Sequence, residues 1–312
     1  MMSADLSIDL GKLKLKNPVM VASGTFGCGE EFLESGFDLS KLGAVVTKGI
    51  SLKPKQGNPP PRVTETSSGM INAIGLQNVG VEAFVKDKLP KLIEAKATAI
   101  VNILGNSVDE YARLAQRLDG VEGVDALEIN ISCPNVASGG ISFGADPDSA
   151  ASVIKASRAV TSLPLIVKLT PLASDIAKVA CAVEDAGADM ISLINTIPAM
   201  AIDIKQKRPV LGNTIGGLSG PAIKPVALRL VWEVRTAVSI PIIGMGGIMT
   251  LDDMLEFIFA GASAVQLGTA NMIYPNRAWE LVTQLKEYIS NEKCNSFSDL
   301  VNDFGKKRDV FL

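Results

Sequence analysis

The chain has 312 residues, 47% of them hydrophobic and only 20% charged, and its 30 Lys and Arg against 33 Asp and Glu give a formal charge of −3. That balance offers no basic footprint for nucleic acid or an anionic membrane surface, and it leaves enough apolar chain for one large core. There is no histidine, which excludes a Ser-His-Asp or Cys-His machine and any His-ligated metal, so proton transfer falls to Cys, Lys, Tyr or a carboxylate.

From the N-terminus, residues 6–16 place Leu6, Ile8, Leu10, Leu13 and Leu15 around Gly11, which predicts a small hairpin ahead of the main fold. Short apolar segments then recur at 19–22, 44–47, 100–103, 126–130, 165–169, 190–194, 241–244 and 264–267. Most of the gaps hold a helical pattern, as at 107–118, 147–160, 174–186, 222–237 and 250–260. Asp109, Ser174 and Asp252 or Thr250 are candidate caps or first-turn acids, and AGAD (186–189) and AGAS (260–263) each read as helix, glycine stop and next strand. Eight strands alternating with helices predict a closed parallel α/β barrel of the (β/α)₈ TIM type, a single domain over residues 1–312. Three connections, 48–77, 131–146 and 195–221, are too long for plain turns and leave the same rim, where they are expected to build over the barrel mouth. No apolar run approaches the about 20 residues of a membrane span. The opening stretch MMSADLSIDLGKLKLKNP lacks the apolar core of a signal peptide, so a cytoplasmic protein is expected.

Four cysteines, Cys28, Cys133, Cys181 and Cys294, stand far apart without a CxxC, which leaves no self-contained iron–sulfur or structural zinc site and no expected metal. Cys133 follows the fourth predicted strand in ALEINISCPN, and Pro134 cannot continue a ladder. A lone Cys is otherwise a small buried hydrophobe. At a strand exit between Asn130 and Asn135 it reads instead as the reacting group. GMGG (244–247) and LGTA (267–270) leave predicted strands 7 and 8, where glycines let backbone N–H groups approach a phosphate; tight turns want the same residues. No GxGxxG or P-loop is present.

Lys48 ends the second strand and Lys168 lies within the fifth, IVKLT, where a lysine is costly unless paired. Its stem could snorkel to the rim. Inward lysines suit a flavin or a carboxylate substrate, and a Schiff base is the competing use of Lys168. Asn72, Asn102, Asn130 and Asn195 fall at or beyond strand ends, offering donor and acceptor together for a cyclic amide or imide ring.

ASGTFG (22–27), TKG (47–49), GNPPPR (57–62), GMINAIGLQN (69–78), NISCPN (130–135), VKLTP (167–171), INT (194–196), GGLSGPAIKPVAL (216–228), GMGGI (244–248) and LGTAN (267–271) resemble the dihydroorotate dehydrogenases. They do so in the family's order over nearly the whole chain. A Cys in the catalytic loop and the absence of a membrane-associating extension look like class 1. Within that class NAIGLQN, NVASGG and GGLSGPAIKP look like the 1B catalytic subunit rather than the fumarate-using 1A enzyme. The resemblance implies FMN held by Ser23, Lys48, Gly49, Asn102, Asn130, Lys168, Ile194, Gly220, Gly246, Gly247, Gly268 and Thr269. It implies orotate or dihydroorotate held by Lys48, Asn72, Ala73, Ile74, Gly75, Leu76, Asn130, Asn195 and Thr196, with Cys133 as base. Gly49 departs from relatives that carry another small residue there, and only a backbone contact is expected from it. The implied assembly is a homodimeric core joined by an electron-transfer subunit bearing FAD and a [2Fe–2S] cluster, a heterotetramer with NAD as final acceptor. A 1A-type enzyme, a related flavin-dependent dihydropyrimidine dehydrogenase and a non-catalytic phosphate-binding barrel are the alternatives.

Overall fold

The computed structural model describes residues 4–132, 134–135, 141–292, 294–308 and 310. Within them eight strands close a barrel: β1 (Val19–Val21), β2 (Ala44–Val46), β3 (Ala99–Ile103), β4 (Ala126–Asn130), β5 (Leu165–Lys168), β6 (Met190–Leu193), β7 (Ile242–Met245) and β8 (Ala264–Leu267). Each strand runs parallel to its sequence neighbour, and β8 returns to β1 through Val265 opposite Val19. Almost every strand residue is buried, because side chains that alternate along a strand meet the barrel interior on one side and helices on the other. This is why the strands appear in the sequence as continuous apolar runs rather than as alternating patterns.

The interior is apolar at one end. Met20, Ala44, Ile100, Ala126, Ile166, Met190, Ile243 and Ala264 pack there with Leu10, Leu13 and Leu15. Several of these are the first residues of their strands, so the hairpin that pairs Ile8–Asp9 with Lys14–Leu15 stoppers the N-terminal end of the barrel. The chain then leaves only the opposite rim for a site.

Helices Val108–Leu118, Pro147–Arg158, Ile176–Asp185, Lys224–Ala237 and Leu251–Ala260 lie in the expected gaps. Thr250 caps the last through a capping box with Asp253, while Asp109 and Asp252 are first-turn acids. Ser174 does not cap; Asp175 does, its carboxylate accepting from the Lys178 amide. A carboxylate is the stronger acceptor next to the helix's positive end. Gly187 (φ 100°) and Gly261 (φ 113°) end their helices in the left-handed region. Helix Arg277–Asn291 follows β8 and buries Ala278, Leu281, Leu285 and Ile289 in the main core, helix Phe297–Arg308 comes after it, and Asp5 exchanges backbone hydrogen bonds with Asn295 and Phe297. No helix among the described residues is long and apolar enough to cross a membrane.

Two of the long connections are not coil. Val63–Thr66, Gly69–Asn72, Gly216–Ser219 and Ile197–Ala199 form a four-stranded antiparallel sheet from the segments after β2 and β6. Its residues wall the barrel mouth.

Candidate active site

At the C-terminal ends of the strands lies a cavity of about 570 Å³. Every position named above for flavin or substrate lines it, from Ser23 after β1 to Thr269 after β8, except Cys133, which falls outside the described residues.

Its floor rests on a polar layer inside the barrel. Glu128 of β4 is fully buried, and its Oε1 accepts from Asn102 Nδ2 of β3 at 2.7 Å. Its Oε2 accepts from Ser192 Oγ of β6 and Gln266 Nε2 of β8, both at 2.9 Å. Lys168 Nζ stands 3.7 Å from Oε1. The lysine that looked anomalous in an apolar strand is therefore the partner of a buried carboxylate rather than a snorkelling cation. Glu128, Ser192 and Gln266 were not anticipated from the sequence. The signal for Glu128 was an acid inside ALEIN, the same kind of anomaly that marked Lys168.

Lys48, two residues past β2, has no carboxylate partner among the described residues. Burial, and after it the Lys168 charge, hold its amine below the ordinary lysine range. Two cations facing one half-enclosed cavity make a site for an anion. Cys28 lies near Lys48 but outside the cavity lining, and burial followed by the Glu30 and Glu31 charges pushes its thiol up to about 11. Neither Cys181 nor Cys294 lines the cavity.

Asparagines gather on one side. Asn195 Nδ2 donates to Ser132 Oγ (2.9 Å) and Asn130 Oδ1 (3.3 Å), and Tyr111 Oη holds the Asn130 carbonyl at 2.6 Å. Opposite, residues 72–76 are braced from outside by the Pro-rich loop. Asn58 N donates to the Ile74 carbonyl at 3.0 Å, Asn58 Nδ2 to that of Ala73 at 3.1 Å, and Ala73 N to that of Arg62 at 2.7 Å. Asn72 itself bonds the Gly217 carbonyl across the sheet.

The third wall is glycine. A Cβ on Gly220 (φ 93°) would lie 2.8 Å from the Gly69 Cα, and one on Gly247 (φ 80°) 2.8 Å from the Gly220 carbonyl oxygen. Three loops thus touch backbone to backbone. Gly268 differs: a Cβ there would meet nothing nearer than 3.7 Å, so its missing side chain leaves room in the cavity. At Gly49 a Cβ would come within 2.7 Å of both Asn102 Oδ1 and Leu104 Cδ2, so a larger residue would move the Asn102 amide, which goes beyond the backbone contact expected there. Gly247→Ala is expected to cost about 1–3 kcal/mol, from left-handed strain together with a backbone clash. The Tm should fall by about 1.5–5 °C in calorimetry, because an unfolding entropy of about 2.1 cal/mol/K per residue makes each kcal/mol worth about 1.5 °C in a chain of this length. An unchanged Tm would show that the loops slide apart freely.

The family model for Dihydroorotate dehydrogenase matches residues 5–289. A chain of Trichlorobacter lovleyi named dihydroorotate dehydrogenase B (NAD(+)), catalytic subunit, is 56% identical over 300 residues, covering 96% of this chain and 98% of that one. Chains with the same name from Geobacter metallireducens and Geobacter sulfurreducens are 55% and 54% identical, over 95% and 96% of this chain and 97% and 98% of theirs.

Proposed function

Because the chain belongs to the dihydroorotate dehydrogenase family, we propose that residues 1–312 form one FMN-binding barrel domain that oxidises (S)-dihydroorotate to orotate in pyrimidine biosynthesis. The observation that carries this reading is the cavity over the Glu128–Lys168 layer, because every described position implied for flavin and for substrate lines it. The residues fit a flavin. Among the described residues the buried Asn102 Oδ1 has no hydrogen-bond partner and Lys48 no counter-charge, and Gly268 leaves open space. Gly246, Gly247, Gly268 and Thr269 would hold the phosphate, and Ser23, Gly49, Asn102, Asn130, Lys168, Ile194 and Gly220 the remainder of the cofactor.

Bound FMN supplies the acceptor for the hydride that leaves one ring carbon of dihydroorotate. The protein's own residues manage the proton and the charge. The Cys133 thiolate takes the proton from the carbon beside the ring carbonyl, leaving the ring double bond of orotate. Asn72, Asn130, Asn195 and Thr196 bond the ring's amide edges, and residues 73–76 enclose it. Lys48 pairs with the substrate carboxylate, and Lys168 offsets negative charge on the reduced ring. The names of the relatives, with NAD(+) and a catalytic subunit in them, support electrons leaving through a separate subunit. We assign FAD and a [2Fe–2S] cluster to that subunit and a homodimeric core to this chain, together a heterotetramer.

The purified chain should be yellow and release FMN, not FAD, on acid treatment. Dihydroorotate should bleach it without oxygen, and NAD alone should not restore the colour. A colourless chain that takes up no added FMN overturns the reading.

A further inference from the structure

We propose that Glu128 is a positioning residue, fixing the Asn102 carbonyl oxygen in the cavity wall beside Gly49 and tethering the Lys168 ammonium beneath the cavity. The inference rests on the reading above, in that the cavity is taken to hold FMN. Glu128 does not line the cavity, so it acts only through its neighbours.

A carboxylate offers acceptors alone, and Glu128 uses both oxygens on donors from three other strands: Asn102 Nδ2 at 2.7 Å, Ser192 Oγ at 2.9 Å and Gln266 Nε2 at 2.9 Å. The Asn102 amide therefore has one permitted orientation, since the reverse would set its oxygen against the carboxylate. Its Oδ1 faces away, belongs to a side chain 1% exposed on the cavity wall, and has no partner among the described residues. A buried acceptor left unpaired is costly, so this atom calls for a donor from the ligand. The oxidised flavin ring carries one N–H, on its imide. On the other side of Glu128, Lys168 Nζ at 3.7 Å is held where negative charge on the ligand would meet it. One residue outside the cavity thus fixes an acceptor and a cation in its wall.

The test compares wild type, Glu128→Gln and Glu128→Asp after reconstitution with FMN, reading the FMN Kd, the two-electron midpoint potential and the Tm of the flavin-free protein. Gln replaces one carboxylate oxygen with an N–H donor, which must face a donor amide of Asn102 or Gln266 or turn the Ser192 hydroxyl round to accept. Its FMN Kd should rise about tenfold. Loss of the negative charge behind Lys168 should favour reduced flavin about tenfold, which is about 30 mV for a two-electron couple. Asp keeps the charge and shortens the reach, so the potential should return towards wild type while Kd stays raised. Should neither variant fold, Ser192→Ala removes one bond to the same carboxylate from outside the cavity and should raise Kd about threefold. Variants that lose only Tm, with Kd and potential as in wild type, overturn the proposal. A wild type that binds no FMN overturns the broader reading as well, which separates the two failures.

Discussion

Cys133→Ala is expected to bind FMN and orotate yet reduce its flavin with dihydroorotate about 10²–10⁴ times more slowly, a barrier increase of roughly 3–5 kcal/mol. The expectation follows from the place of Cys133 just after β4 and from a narrowed field of candidates. The chain has no histidine, and of its other cysteines none lines the cavity. A thiol with an ordinary pKa of about 8.5 needs local help to ionise, and a hydroxyl is a far weaker acid. Cys133→Ser should therefore be partly active and improve towards alkaline pH. Anaerobic stopped-flow of flavin bleaching at neutral and alkaline pH measures both variants. Wild-type rates in the alanine variant would move the base elsewhere.

Lys48→Met should act on function and stability in opposite directions. With no carboxylate partner among the described residues, the ammonium is available to an anion, and its loss should weaken orotate binding by about 1.5–3 kcal/mol, roughly ten- to a hundredfold. The sign of the stability effect follows from proton linkage. The folded-state amine is held below its ordinary 10.5 by burial and by Lys168, so between that depressed value and 10.5 the unfolded chain binds more protons. Stability of the ligand-free protein should rise with pH across that window, and the full penalty applies below it. Removing the amine should accordingly raise the Tm of the flavin-free protein at neutral pH and flatten its rise in alkali. Titration calorimetry with orotate and a pH series of melting curves test both halves. A variant with wild-type orotate affinity and a lower Tm throughout would refute the assignment.

The barrel was legible because its strands are buried on both faces, so the eight apolar runs stand out, and the observed strands fall within a residue or two of them. The mouth sheet was not. Gly69–Asn72 and Gly216–Ser219 are short, glycine-containing and largely half-buried, Ile197–Ala199 is three residues with a proline at its centre, and the pairing of Gly69–Asn72 with Gly216–Ser219 joins segments more than a hundred residues apart. Lys48 and Lys168 could be singled out because charge is conspicuous in apolar sequence. Ser192 and Gln266 could not, because an uncharged polar residue in a strand looks like a solvent-facing position. Their pairing through Glu128 exists only when β4, β6 and β8 face one another across the closed barrel.

The leucine stopper at the N-terminal end makes the barrel a vessel with one mouth. Everything that recognises a ligand sits on the C-terminal ends of the strands and the loops at that rim, whereas the sealed end is aliphatic packing, with Asp5 just before it tied to helix Phe297–Arg308. Emptying the vessel therefore removes contacts from one end only and leaves the opposite half of the interior intact. Durability and chemistry occupy separate ends of the same cylinder, so a change at Leu10, Leu13 or Leu15 alters how long the protein lasts without altering what its mouth accepts.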